Sequence, residues 1–222
     1  MINIFFNQRS IFLKRRVSQM ARRSDHSREE LYDLALESAR VIAEKEGLRG
    51  LAARRIARDI GYTVGTIYNL FEDLDDLIVH LNGRTLDALY TALADLPQNG
   101  EPETAVRALA EGYIEFVDDH PKVWSVLFEH RLPEPRQPPD WHHEKILRLL
   151  GLVEQALGPL FPPGRETERH HAARVLWSSL HGICSLESTG KLVASETVPA
   201  LADTLVTCFL AGLRSEHSKP SS

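Results

Sequence analysis

Cysteine is scarce. The chain holds two, Cys184 and Cys208, too few for a disulfide framework and in keeping with a reducing cytoplasm, and lone cysteines on apolar helices are more often core than redox switches. No apolar run approaches the ~20 residues of a membrane span, so no membrane partner is expected. Glycine and proline, at 13 and 12 residues, are too few for a fibrous or disordered chain. The marks of common enzymes are missing as well: there is no G-x-S-x-G elbow, no P-loop and no G-x-G-x-x-G fingerprint. Nothing calls for a cofactor, a metal or a catalytic residue. There is no internal repeat and no alternating strand pattern, which leaves an all-α chain.

What is present is centred on Ala52 to Phe71, AARRIARDIGYTVGTIYNLF. Ile56, Ala57 and Ile60 make one apolar face of a short helix, and Arg54, Arg55 and Arg58 occupy much of the rest. Gly61 supplies the backbone freedom to stop it, and Tyr62-Thr63 completes a turn of the length that joins two helices steeply. Thr63 is placed to cap the second helix, Val64 to Phe71, which buries Ile67 and Phe71. Thr63, Val64, Thr66, Tyr68 and Asn69 are left to face outward. Such a pair is either a helix-turn-helix that reads the DNA major groove or a plain helical hairpin. The outward hydroxyls, amide and phenol favour DNA, because a merely solvated face usually carries Glu and Lys.

Charge is unevenly spread. Residues 1–71 hold 13 Lys and Arg against 8 Asp and Glu, whereas residues 72–222 hold 13 against 23, within a net charge of −5. A basic first third on an acidic body is the footprint of a polyanion-binding head.

The first 19 residues are not a signal peptide, because Lys14-Arg15-Arg16 follows the apolar residues instead of preceding them. Met20 is expected to be the natural start. Arg22 and Arg23 then form a basic arm ahead of the first helix, so residues 1–26 are read as extension and arm. Ser27-x-x-Glu30 is a capping box that opens a helix over 28–46, stopped by Gly47. The spacing predicts further helices over 73–96, 103–119, 122–129, 141–157, 168–187 and 198–214, with breaks at 97–102, 132–140 and 158–166 and a frayed tail.

Over residues 27–81 these features, GTIYNLF and the acidic helix start after it above all, resemble the TetR/AcrR family of bacterial transcriptional regulators. Trp177-x-x-x-His181-Gly182 resembles the WHG-type ligand-binding domain of one branch. The resemblance implies a three-helix DNA-binding domain over 27–73 and a helical bundle over 74–222 that binds a small molecule and pairs two subunits. It implies double-stranded operator DNA, an unidentified effector and a second copy of the chain as partners. Arg54 matches a DNA-contacting residue of the family's second helix; Thr63, Val64 and Thr66 match the start of its recognition helix; Tyr68 matches its phosphate-contacting tyrosine. Asn69 lies where the family varies. The sequence departs from the pattern at Ala52, where Ser or Thr commonly caps the helix, at Leu70 in place of a histidine, and at Leu74 in place of a lysine.

In the body, Tyr113, Phe116, Trp124, Phe128, Trp177 and His181, on helices that the resemblance places around the ligand pocket, are the candidate effector contacts. Each aromatic is also an ordinary core candidate, but an imidazole in the apolar stretch LWSSLHGICSL must find a partner. Val198, Leu201, Leu205, Phe209 and Leu213 form a packing stripe, and Ser178, Ser179, Gly182 and Ser185 permit close helix approach, the composition of a dimer face. Asp140-x-x-His143 and Glu168-x-x-His171 have the spacing of di-metal helical bundles, but both begin helices beside proline loops, and no complete ligand set can be assembled. The sequence reading is a dimeric, ligand-responsive repressor of a palindromic operator. The alternatives are an effector-independent DNA-binding or scaffold protein and, last, a di-metal enzyme.

Overall fold

Ser27 begins the first helix with both halves of a capping box: its Oγ accepts the Glu30 N–H at 3.2 Å, and Glu30 Oε2 accepts the Ser27 N–H at 2.7 Å. The computed structural model describes residues 26–96, 100–192 and 195–217. The basic arm with Arg22 and Arg23, the Met20 start and residues 97–99 of the first break lie outside them.

Nine α-helices and two short 3-10 turns, with no strand, make up the described residues. They are α1 (Arg28–Glu46), α2 (Ala53–Asp59), α3 (Val64–Leu70), α4 (Leu74–Ala94), α5 (Pro102–Asp119), α6 (Pro121–Glu129), α7 (Asp140–Leu157), α8 (Glu166–Ser188) and α9 (Val198–His217). The all-α expectation holds, with ends displaced by a residue or two. Helices α5 and α6 start on their prolines, where the missing N–H had no partner to lose. The tail expected to fray after Arg214 stays helical to His217.

Two hydrophobic clusters form. The first gathers Leu36 and Ile42 of α1, Ile56 of α2, Ile67 of α3 with Phe71, Leu77 and Leu81 of α4, and Val123 and Val126 of α6. The second is built from the end of α4 with α5, α7, α8 and α9, and takes Trp124 from α6. Helix α6 is therefore a wedge with one face in each core. Residues 123 and 126 share a side, and 124 lies about 100° round the helix from 123.

Helix α9 turns Ala202, Val206 and Leu210 into the second core. Val198, Leu201, Leu205, Phe209 and Leu213 sit half-buried beside that line. Its Val198–Ser215 stretch is long and apolar enough to cross a membrane by length and composition, with 17% of it buried. The sequence reading found no such run because Asp203 and Arg214 interrupt it. Both are paired to α5, Asp203 with Arg107 and Arg214 with Glu103.

Candidate functional site

The turn between α2 and α3 is built by backbone chemistry. Gly61 takes φ +80°, the Tyr62 N–H reaches the Ala57 carbonyl at 2.8 Å, and the Gly61 N–H reaches that of Arg58 at 3.1 Å. This pair of bonds is a Schellman stop, which needs a residue tolerant of positive φ at Gly61. Tyr62 is pinned by its hydroxyl to His26 Nδ1 at 2.8 Å. Ala52 occupies the cap position of α2 with extended backbone and no side-chain hydrogen bond. Thr63 holds the cap position of α3, but its hydroxyl meets the Thr66 hydroxyl at 3.2 Å instead of a backbone N–H.

With Ile67 and Phe71 anchored inside, α3 presents Thr63, Gly65, Tyr68 and Asn69 to solvent. Tyr68 is 52% exposed, and neither it nor Asn69 has a side-chain partner among the described residues. Thr66 is half-buried at the rim of this face. Val64 is half-buried too and packs on the first core, so it is less outward than its neighbours. On α2, Arg54 is exposed and unpaired among the described residues, whereas Arg55 makes two 2.6 Å bonds to Glu46 and ties α2 to the end of α1. The result is a convex surface of hydroxyl, phenol, amide and one unpaired guanidinium, groups able to bond phosphates and base edges.

The candidate effector residues divide. Tyr113, Trp124, Phe128 and Trp177 line one cavity of about 80 Å³ with Leu86, Leu89, Leu127, Ile146, Leu149, Leu150 and His142. His181 adjoins it: Trp177 stacks on the imidazole with ring centroids 5.4 Å apart, Phe128 lies at 4.0 Å and Trp124 at 5.1 Å. The Trp124 indole N–H donates to the Tyr113 hydroxyl at 3.0 Å, and that hydroxyl lies 3.1 Å from His181 Nδ1. Burial pushes the Tyr113 phenol far above its usual pKa and pulls that of His181 down. Phe116 is not part of this group. One helical turn round from Tyr113, it tilts against His120 at 5.0 Å and lines a separate cleft of about 320 Å³ with Arg40 of α1 and Thr85 of α4.

The sequence did not single out His142, half-buried in the cavity wall, or the contacts running from that wall toward α3. His130, which follows α6, puts Nε2 2.9 Å from Asp75 Oδ1 at the start of α4. Arg136, in the proline loop, donates to Asp73 at 2.6 Å and to Glu72 at 3.3 Å. The same Asp73 caps α4 by accepting the Asp76 N–H at 2.8 Å. Helix spacing gives no sign of the His130 and Arg136 bonds, which join residues more than fifty positions apart.

Asp140, His143, Glu168 and His171 are all exposed. No group of three or more His, Cys, Asp or Glu side chains among the described residues is placed to hold a metal ion. Cys184 is buried, and burial lifts its thiol to about 11, which leaves it unreactive.

Residues 106–209 match the family model described as Tetracyclin repressor-like, C-terminal domain. An HTH-type transcriptional regulator of Mycobacterium tuberculosis is 26% identical over 209 residues, covering 93% of this chain and 91% of that protein. A second HTH-type regulator, from Bacillus subtilis, is 23% identical and covers 81% and 91%. Among solved structures, a protein of unknown function from Rhodococcus sp. RHA1 superposes with a TM-score of 0.69 at 21% identity, over 87% of this chain and all of the other. A TetR transcriptional regulator from the same source gives 0.63 at 16%, over 85% and 99%. At these identities the superpositions speak to fold alone.

Proposed function

We propose that this chain, which belongs to the TetR family of DNA-binding transcriptional regulators and is not an enzyme, works as a ligand-responsive repressor in the cytoplasm. Residues 27–73 form the reading head and 74–222 the body. Two copies hold a palindromic operator, with half-sites one or more helical turns apart, ~34–36 Å for a single turn. In each head Thr63, Thr66, Tyr68 and Asn69 approach the DNA from α3, Val64 lies at its entrance, and Arg54 adds a phosphate contact from α2.

The observation that carries the ligand response is the double burial of α6. Trp124 belongs to the second core and lines the cavity, while Val123 and Val126 belong to the first core, which holds α3. A molecule lodged among Tyr113, Trp124, Phe128 and Trp177, against His181, cannot move α6 without disturbing the bed on which α3 rests. It acts only through its unequal affinity for the DNA-competent and released arrangements.

The pairing surface falls on α8 and α9. Val175 and Leu186 of α8 are 55% and 45% exposed. A Cβ added at Gly182 or at Gly212 of α9 meets nothing within 4 Å, which leaves room for a second copy to approach closely. Apolar side chains left in water beside open glycines favour a four-helix contact between subunits.

The test is selection of bound fragments from the source genome, followed by screening compounds for a thermal shift of the protein with release of the selected fragment. The reading expects both effects from the same compound. An effector-independent DNA binder is the second reading, favoured by the cavity's 80 Å³, well below the ~300 Å³ at which ligand pockets begin. Tight fragment binding that no compound releases would select it.

A further inference from the structure

The cavity is lined by eleven side chains, none of them Asp, Glu, Lys or Arg. An ion bound there would give up its hydration with no opposite charge to meet it. Its polar groups are few. The Tyr113 hydroxyl accepts the Trp124 N–H at 3.0 Å and pairs with His181 Nδ1 at 3.1 Å. Held between Trp177 and Phe128, His181 is a fixed ring behind the wall.

His142 differs. It stands in the wall at the start of α7 and has no side-chain hydrogen bond among the described residues; its one ring contact is edge-on to Trp141. A second polar group lies on the helix that supplies Leu86 and Leu89. Asn82 is 4% exposed, and its Oδ1 has no hydrogen-bond partner among the described residues. It sits four and seven residues before Leu86 and Leu89, the two α4 residues of the wall, hence on the same helix face. Its oxygen is an open acceptor about one helical turn along from Leu86.

We infer, resting on the effector reading above, that the cavity takes an uncharged, flat, largely apolar molecule with one hydrogen-bonding function, read by His142. Rings stack among Trp124, Phe128 and Trp177, and the polar function makes the bond that sets specificity. Molecules larger than the cavity enter by displacing Phe128, the wall residue already 41% exposed.

Four probes of nearly one size separate the possibilities: acetophenone, ethylbenzene, benzoate and benzylamine. Quenching of tryptophan fluorescence reports occupancy, since Trp124 and Trp177 both line the site, and a Trp141→Phe background removes the third tryptophan. Acetophenone is expected to bind saturably, with benzoate and benzylamine weaker by at least about tenfold. In His142→Leu its advantage over ethylbenzene should shrink by about tenfold while ethylbenzene binding is kept, which also shows that the variant is folded. Preferential binding of either charged probe, or an unchanged preference in His142→Leu, overturns the inference and leaves the cavity as a ligand site. No binding by any probe overturns both. Binding of acetophenone and of larger neutral aryl ketones without release of the selected operator fragment overturns the effector reading and leaves the ligand class standing.

Discussion

Trp141 of α7 lies nearly parallel to His80 of α4, with ring centroids 5.0 Å apart and planes 21° from coplanar. The contact continues in both directions. His80 Nδ1 is 2.7 Å from the Tyr32 hydroxyl on α1, and Tyr32 stacks on Phe71 at the end of α3 with centroids 5.0 Å apart. On the other side, His142, next to Trp141, belongs to the cavity wall. An unbroken line of rings thus joins the proposed ligand site to the helix proposed to read DNA. Packed aromatics of this kind pass on displacement because the interior has little free volume.

Gly83 makes the line possible. A Cβ at this position would lie 2.6 Å from Trp141 Cζ3, so Gly83→Ala must push the indole off His80. Trp141→Ala is expected to cost roughly 1 to 2 kcal/mol, less than a fully buried tryptophan. Gly83→Ala alone should also destabilise. In the Trp141→Ala background, the same change should be neutral or stabilising, because alanine favours helix over glycine by up to about 1 kcal/mol. Urea titrations of the four proteins measure the non-additivity; simple additivity would place the indole elsewhere.

Arg136 tests the second link from the body to the head. Its bonds to Asp73 and Glu72 tether the proline loop to the start of α4, immediately after α3. Because the pair lies at the surface and is only part-buried, Arg136→Gln should change the melting temperature little. It should instead weaken the effect of a releasing compound on operator affinity. Equal release by the variant and the parent would show that the tether transmits nothing.

Three half-buried imidazoles set the pH response of stability. Burial is the largest cause that lowers His80, His142 and His181 from the usual 6.5. Each therefore binds its proton more readily in the unfolded chain, and stability falls as pH drops below about 6.5. Above that value all three are neutral in both states and the dependence vanishes. The paired carboxylates with lowered pKa, Asp73 and Glu103 among them, give up their contribution only nearer pH 4. Urea midpoints at pH 7.5 and 5.5 should differ in the parent, and the difference should shrink in His181→Phe.

Ala52 is a defect at the start of α2. Its extended backbone is that of a capping residue, but it offers no side-chain oxygen to the first turn. Ala52→Ser should raise stability by about 1 kcal/mol. In the proposed complex the new hydroxyl also faces the DNA backbone, so affinity should rise for specific and non-specific duplexes alike. A gain confined to one sequence would contradict a phosphate role.

What the sequence made legible is local. The Ser27 and Glu30 box, the Gly61 stop and the buried Ile67 and Phe71 depend on residues within one or two turns, and each is where the pattern puts it. The cluster of Tyr113, Trp124, Phe128, Trp177 and His181 was legible through a motif and a shared helix face. Phe116 was not, because its spacing from Tyr113 fits a shared face, yet α5 lies between two neighbours and the two rings go to different sides. His130 and Arg136 carried no signal, since their partners are more than fifty positions away, and neither did His142 and Asn82, whose surroundings arise only when the helices pack. The proline loop read as a break in helix, which it is; composition gave no indication that it reaches across to Asp73.

The central claim is that two copies of this chain set their α3 helices against one duplex. Sedimentation of the full chain with a fragment selected from the genome, over a series of salt concentrations, measures it most directly. The account predicts two chains per duplex, affinity that falls steeply with salt, and a clear loss of affinity in Tyr68→Phe and in Arg54→Ala with the fold intact. A monomer indifferent to any duplex at low ionic strength would contradict it.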